Sequence, residues 1–567
     1  MILQALCEYY ERLKNDPNSN IALEGWEWKE IPFIILLDER GELIQIEDTR
    51  EDSGKNRRGK RFLVPLGVKR ASNITADLLW GSAEYIFGIG KRGREKRDAF
   101  LEKLKQKLGD LKIIDAVFHF IENYSEDELS RERDWKEISE KNPFLSFRIV
   151  SDHVLICRRP EIIQRISSLS EENATEGTCL VDGKVARIKE LHKAIKGVRG
   201  AQSSGSNIIS FNLNAFQSYN KEKGHNAPVS YEVEFAYTTA LNTLLGYDSK
   251  QRMSIGDTTT VFWSEKQSSF EKDFSQFFEE PEKDDPNAGA EKIRALFESV
   301  KTGAYVTDDV KSRFYVLGLA PNAARISISF WRNETIAELS VRIKQYFEDF
   351  AIKKPTNQPE FYSIKEILKS VSAQDKSENL PPSIAGDLMR AILTGAPYPA
   401  NLLQAAIRRL HCDQRERVWP VRAATIKAYI NRYYRSYPDE NAKEINMVLD
   451  VFQPSKGYQL GRLFATLEKI QEEAIPKLNA GIRERFYGAA CSSPVTVFSN
   501  LLRLKNFHLA KLENRGRVVW FEKLLAEIMS NLTDFPSYLN LHEQGRFAIG
   551  YYHQRQVFYS KSEKNEI

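Results

Sequence analysis

Residues 461–475 read GRLFATLEKIQEEAI, and Leu463, Phe464, Leu467, Ile470 and Ala474 in it fall on one helical face. The stripe returns downstream. In PVTVFSNLLRLKNFHLAKL, which starts at Pro494, it is Phe498, Leu501, Leu502, Leu509 and Leu512. Val518, Phe521, Leu525, Ile528 and Leu532 repeat it, and Phe547, Tyr551 and Phe558 complete it. Four successive amphipathic helices with short polar links predict an antiparallel bundle. From residue 456 onward there are 16 basic and 11 acidic residues, so the bundle carries a positive excess.

Upstream the pattern changes to short segments rich in β-branched and aromatic residues. FRIV, VLIC, NIISFN, TTTVFW and RISISFW, between 144 and 332, read as strands, with one helix over 231–245. Residues 265–292 hold nine acids and four bases and read as a solvated loop. At the N-terminus, ILQALCEYYERL has helical spacing, and IPFIILLDERGELIQIED reads as two strands about an Asp-Glu-Arg-Gly turn. FLVPL is a further strand, and KRGREKR from Lys91 opens a helix through Phe100, Leu101 and Leu104. The expected class is α+β: a mixed α/β part over 1–150, a β-rich part over 151–378, and a helical bundle over 379–567.

The chain has 567 residues, enough for two to four domains. A hydrophobic share of 42% supports folded cores, and 82 Lys+Arg against 78 Asp+Glu leave only the local charge distribution informative. Cys7, Cys157, Cys179, Cys412 and Cys491 form no CxxC pair, which predicts reduced thiols rather than a disulfide framework or zinc ribbon. The start MILQALCEYYERL has no basic n-region, and no run approaches the roughly 18 apolar residues of a membrane span, so a cytoplasmic protein is expected. There is no GxxxxGK[ST], no GxSxG, and no second histidine after HEQGR at His542. His508 and His553 lie in helices, where packing explains them better than metal binding. A binding protein without cofactor or metal is expected; the rivals are a metal-dependent nuclease or deaminase assembled from scattered residues, and a general RNA-binding scaffold that reads no duplex.

Two stretches suit nucleic acid. Residues 50–70 contain eight basic and two acidic residues. Within them KNRRGKR (Lys55, Arg57, Arg58, Lys60, Arg61) reads as a flexible loop able to neutralise phosphates. Asn73 follows in SNIT, with an amide that can read base edges or, equally, close an Asx-turn. GVRGAQSSGSN, from Gly197, lacks the strand–GxGxxG–helix order of a dinucleotide fingerprint. It leaves Arg199 and Gln202 as donors, followed by Phe211, Phe216 and Tyr219 with Asn212, Asn214, Lys221 and Lys223 among them. Amide and basic groups interleaved with aromatics suit a single strand or RNA, although core packing is the favoured reading of Phe211 and Phe216.

Ordered blocks then carry a resemblance. MILQALCEYYERL, IEDTRE, FLVPLGVKR, LLWGSAEYIFG, VRGAQ…SFN…AFQSY…NAPVS, TTTVFW, VLGLAPNAARISISFW, LTGAPYP and YLNLHEQGRFAIGYYHQRQ resemble the large subunit of the type I-C CRISPR surveillance complex (Cascade), from Met1 almost to the end. The resemblance implies a non-enzymatic subunit that recognises the protospacer-adjacent motif (PAM) on duplex DNA, helps open it into an R-loop, and recruits a separate nuclease-helicase. Its partners would be crRNA, target DNA and the backbone, crRNA-processing and small subunits. Guide pairing reads the sequence while the protein reads a short duplex tag. Asn73 would read bases; Lys55, Arg57, Arg58, Lys60, Arg61, Lys69 and Arg70 would hold the DNA. Arg199, Gln202, Asn212, Asn214, Lys221 and Lys223 would contact crRNA or a DNA strand, and Arg503, Lys505, Lys511, Arg515 and Arg517 a strand along the bundle. The family also implies a small subunit made by internal translation start, for which Met447 is the best-placed of five methionines. In some relatives a cysteine precedes the position of Cys179 by three residues; here it is Glu176, which weakens a metal knuckle.

Overall fold

The computed structural model describes residues 1–53, 56–68, 74–168, 175–255, 258–278, 288–302, 311–356, 358–376, 379–381, 383–412, 419–439, 443–476, 478 and 480–559. It is an α+β protein that becomes helical toward the C-terminus. Two compact units are present, one of Met1–Ile195 with Ser206–Thr243, the other of Lys196–Gly205 with Leu244–Ile567.

The first unit contains β1 (Trp26–Glu30), β2 (Phe33–Leu37), β3 (Leu43–Asp48), β4 (Arg50–Ser53), β5 (Asn56–Gly59), β6 (Arg61–Pro65), β7 (Trp80–Ser82), β8 (Phe144–Ile149) and the short pair β9 (Glu176–Thr178) and β10 (Val185–Arg187). A four-stranded sheet has the order β3-β2-β8-β7, with β2 and β8 parallel at its centre. Every residue of β2, FIILL, is buried, as a central strand covered on both faces requires. The helices Gly93–Leu108 and Asp115–Asn123 bury Phe100, Leu104, Val117 and Phe120, and the rings of Phe100 and Phe120 meet Phe147 of β8. The Asp-Glu-Arg-Gly turn forms as expected. Asp38 accepts the N–H groups of Arg40 and Glu42 at 2.9 and 2.8 Å, and Gly41 has φ +92° beside the Ala116 carbonyl, where a Cβ would be 2.3 Å from the oxygen.

The second unit opens with an antiparallel meander of β11 (Arg252–Ile255), β12 (Thr258–Ser264), β13 (Arg313–Asn322) and β14 (Arg325–Thr335). TTTVFWS of β12 is buried throughout. Thr335 ends β14 and caps the helix Ile336–Phe350 in a capping box with Glu338. One core then runs without interruption from Met253 to Tyr552. The helix Trp419–Ser436 is buried on all sides through Arg432. The bundle is Lys456–Ala474, Ile482–Ser492, Val495–Ala510, Arg515–Ser530 and Leu541–Tyr559.

Several local expectations are corrected. Lys456–Ala474 is not one-sided, because the other bundle helices surround it and Gly457 to Glu468 are all buried. Ile482–Ser492 is a helix the sequence stripe did not announce. VLIC does not form a strand: Ile156–Arg158 is a 3-10 turn leading to Pro160, which opens a helix. NIISFN is irregular beyond Asn207, a single bridge residue next to Ser206, whose backbone pairs with Ile195. Among the described residues, no helix is long and apolar enough to cross a membrane.

Candidate nucleic-acid interface

KNRRGKR is not a loose loop. Its residues Asn56–Gly59 are β5, paired antiparallel with β4 so that Glu51 faces Arg58 and Arg50 faces Gly59. The base of this hairpin is locked by Arg50. Its guanidinium grips Asp48 at 2.8 Å and Glu137 at 2.6 Å, and its Cζ stands 4.6 Å from the centre of the Phe33 ring. Arg50 and, second, Lys141 hold the Glu137 carboxyl down at about 2, and the Arg50 hydrogen bonds lower that of Asp48. Gly59 is needed for packing: a Cβ there would lie 2.8 Å from the backbone nitrogen of Pro32.

This frame leaves Arg57, Arg58, Lys60 and Arg61 exposed. Arg57 is also ion-paired with Asp48 at 3.2 Å. The backbone of Lys60 is pinned, donating to Thr49 at 3.3 Å and accepting from Ile31 at 3.0 Å, so its ammonium projects from a fixed point. Lys55, Lys69, Arg70 and Asn73 lie outside the described residues.

Arg199 and Gln202 are exposed in the segment Lys196–Gly205 of the second unit. The Arg199 N–H donates to Thr259 Oγ1 of β12 at 2.9 Å. Gly197 and Gly200, with φ +88° and +77°, bring the backbone against Leu245 and Pro321, so these glycines serve close packing.

Asn212, Asn214 and Lys221 are exposed on the first unit, while Lys223 pairs with Glu190 at 2.7 Å. The core reading of the two phenylalanines is corrected, since Phe216 is 37% exposed and Phe211 half-buried. Tyr219 is 93% exposed and has φ +54°, followed by Asn220 at +56° and Lys223 at +44°. The sequence sets Phe211 and Phe216, not Tyr219, apart as core candidates, but it does not announce so full an exposure.

In the bundle, Arg503 is exposed and donates to Asn500; Lys511 and Arg515 are exposed at the turn between two helices. Lys505 pairs with Glu522 at 3.3 Å. Arg517 is held by Glu473 through bonds of 2.9 and 2.7 Å and stacks on Trp520 and Phe521, which gives it a packing role that charge alone did not reveal. Met447 is exposed in the segment before Lys456, its carbonyl accepting from the Lys353 N–H at 2.9 Å.

Burial raises the thiol pKa of Cys7 and Cys157 to about 12, so neither is a reactive thiolate at neutral pH. Among the described residues, no three His, Cys, Asp or Glu side chains gather as a metal site requires.

Comparison with protein families places the chain among CRISPR-associated proteins. It belongs to the family described as CRISPR-associated protein Cas_Csd1, which matches residues 6–559, nearly its whole length, and it is thus a large subunit of that type. A search of curated proteins finds no match.

Proposed function

We propose that this chain is the non-catalytic large subunit of a type I-C RNA-guided DNA surveillance complex in the cytoplasm, and that its N-terminal hairpin grips duplex DNA beside the PAM. The supporting observation is the hairpin β4–β5. Arg57 and Arg58 ride exposed on its second strand, Lys60 and Arg61 follow it exposed, and its base is fixed by Arg50, Asp48 and Glu137. Cations on a rigid ribbon neutralise phosphates without the ordering cost of a loose loop.

Base reading is assigned by resemblance to Asn73, with Lys55, Lys69 and Arg70 completing the clamp. Arg199 and Gln202 would touch crRNA or a DNA strand, and Arg503, Lys511 and Arg515 a strand along the bundle. The subunit would then help open the R-loop and recruit the nuclease-helicase. By the same resemblance, Met447 starts a shorter second product. Gel shifts of the assembled complex, on duplexes with and without the PAM, test the reading. Asn73→Ala should erase the preference while Lys60→Ala weakens both duplexes alike; identical behaviour of the two variants would overturn it.

A further inference from the structure

The segment 212–226 has no regular structure beyond two short 3-10 turns, yet it is tightly specified. The Asn226 side chain clasps it: its carbonyl oxygen accepts the Ser218 N–H at 2.9 Å, and its amide donates to the carbonyls of Lys221 at 2.8 Å and Lys223 at 3.1 Å. Gly224 closes the base, packed so near the backbone of Lys189 that a Cβ would stand 2.3 Å from its carbonyl oxygen. Within this clasp Tyr219, Asn220 and Lys223 all take positive φ. A bulky residue adopts that conformation only when its surroundings impose it. The outcome is a tyrosine 93% exposed, on a loop held by the Asn226 hydrogen bonds.

We propose that this loop is a single-strand-binding element in which the Tyr219 ring stacks on an unpaired base while Lys221 meets the adjoining phosphate. The groups around the ring favour nucleic acid. Asn220 and Lys221 follow it in the chain and are exposed, Lys223 neutralises Glu190, and the exposed Glu222 is the one acid of 212–226. Stacking on an aromatic face accepts any base, as guide-directed machinery needs, and a preordered loop loses little entropy on binding. RNA and DNA single strands offer the same chemistry. The inference rests on the nucleic-acid reading above but uses a different element.

The test titrates the full chain into short labelled oligonucleotides of one sequence, supplied as single-stranded DNA, single-stranded RNA and DNA duplex. One single strand carries 2-aminopurine, whose fluorescence falls on stacking. Wild-type protein should bind at least one single strand and quench the probe; the tighter of the two strands identifies the source. Tyr219→Ala should weaken that binding about tenfold and abolish the quench, whereas Tyr219→Phe keeps both. Lys221→Ala should reduce the salt slope by about 0.7 for one single-strand phosphate. Absence of binding to either strand, no quench by the wild type, an unchanged affinity in Tyr219→Ala, or equal losses for Ala and Phe would each overturn the proposal. If those results arise while duplex binding persists and still depends on Lys60, only the Tyr219 assignment fails. Duplex binding indifferent to Lys60, with Tyr219-dependent stacking intact, removes the hairpin reading instead.

Discussion

A Cβ placed on Gly461 would lie 2.0 Å from the carbonyl oxygen of Phe547. The helices Lys456–Ala474 and Leu541–Tyr559 meet backbone to backbone here. Gly550 lies equally near the Tyr458 carbonyl, and Gly457 near that of Glu543, at 2.0 and 2.2 Å for a built Cβ. A carbonyl within a helix cannot swing aside as a flexible side chain can. Gly461→Ala gains about 1 kcal/mol of helix propensity but forces the two helices apart, and overpacking of this kind costs about 1–3 kcal/mol and occasionally more. At so short a distance the loss wins, and the thermal midpoint should fall. Gly488, also helical, has nothing within 4 Å of its built Cβ, so Gly488→Ala should leave the midpoint unchanged or raise it. Calorimetry of the two variants checks the opposite signs.

The sequence shows why some of this was readable. The run IPFIILL followed by DERG announces a buried strand and a turn because the needed residues are adjacent. The stripes in Val495–Ala510 and Arg515–Ser530 are readable for the same reason. The hairpin β4–β5 was not. REDS and NRRG have no apolar alternation, and the group locking their base is Glu137, 87 residues from Arg50. Trp26–Glu30 has alternating tryptophans, a signal that could have revealed β1. Tyr219 is the opposite case: its exposure depends on the Asn226 clasp, which no periodicity encodes.

The carboxyl of Glu137 titrates at about 2 rather than its usual 4.5, chiefly through Arg50. Its folded-state value is lowered, so its contribution to stability is complete above the ordinary value and is lost as pH falls through about 2. Glu137→Gln should therefore destabilise the protein at pH 6 and matter progressively less below pH ~4. Paired urea denaturation curves at several pH values measure this. A penalty that grows toward acid would contradict the Arg50 lock.

The cations of the hairpin and of its exit should not be equivalent. Arg57 is engaged by Asp48, whereas the Lys60 ammonium extends into solvent from a pinned backbone. Lys60→Ala should lower the salt slope of duplex binding by about 0.9, the value for one phosphate contact. Arg57→Ala should change it less, because part of its charge already answers a carboxylate. Filter binding over a salt series separates the two.

Replacing Met447 with isoleucine should remove a short C-terminal product from expressing cells while sparing the full chain, and a blot against the C-terminus reads it. Such a product would lack the helix Trp419–Ser436. In the full chain that helix supplies Ile426 and Ile430 against Gly545, and the Trp419 ring packs at a tilt against Tyr551, 5.2 Å between centres. The separated product would expose this apolar face and should elute above its monomer mass in gel filtration.

The last prediction concerns Asp349, which is fully buried in the second unit. Its carboxylate pairs with Arg432 at 2.5 Å and Arg435 at 2.6 Å and accepts from the Tyr398 hydroxyl at 2.9 Å. Arg432 is only 3% exposed, so Asp349→Ala leaves a buried guanidinium without its counter-charge. Breaking a buried pair from one side costs about 3–5 kcal/mol, whereas replacing both partners by well-packed apolar groups is often neutral. Arg432→Met alone leaves Asp349 with Arg435 still beside it, and should be the milder single change. The double variant Asp349→Ala, Arg432→Met should accordingly be more stable than the sum of the two single losses allows, because it removes the stranded charge that makes the first so costly. A double-mutant cycle from denaturation midpoints measures the coupling. Strict additivity would mean that Arg432 finds another partner once Asp349 is gone, and that the network is redundant rather than organised around one carboxylate.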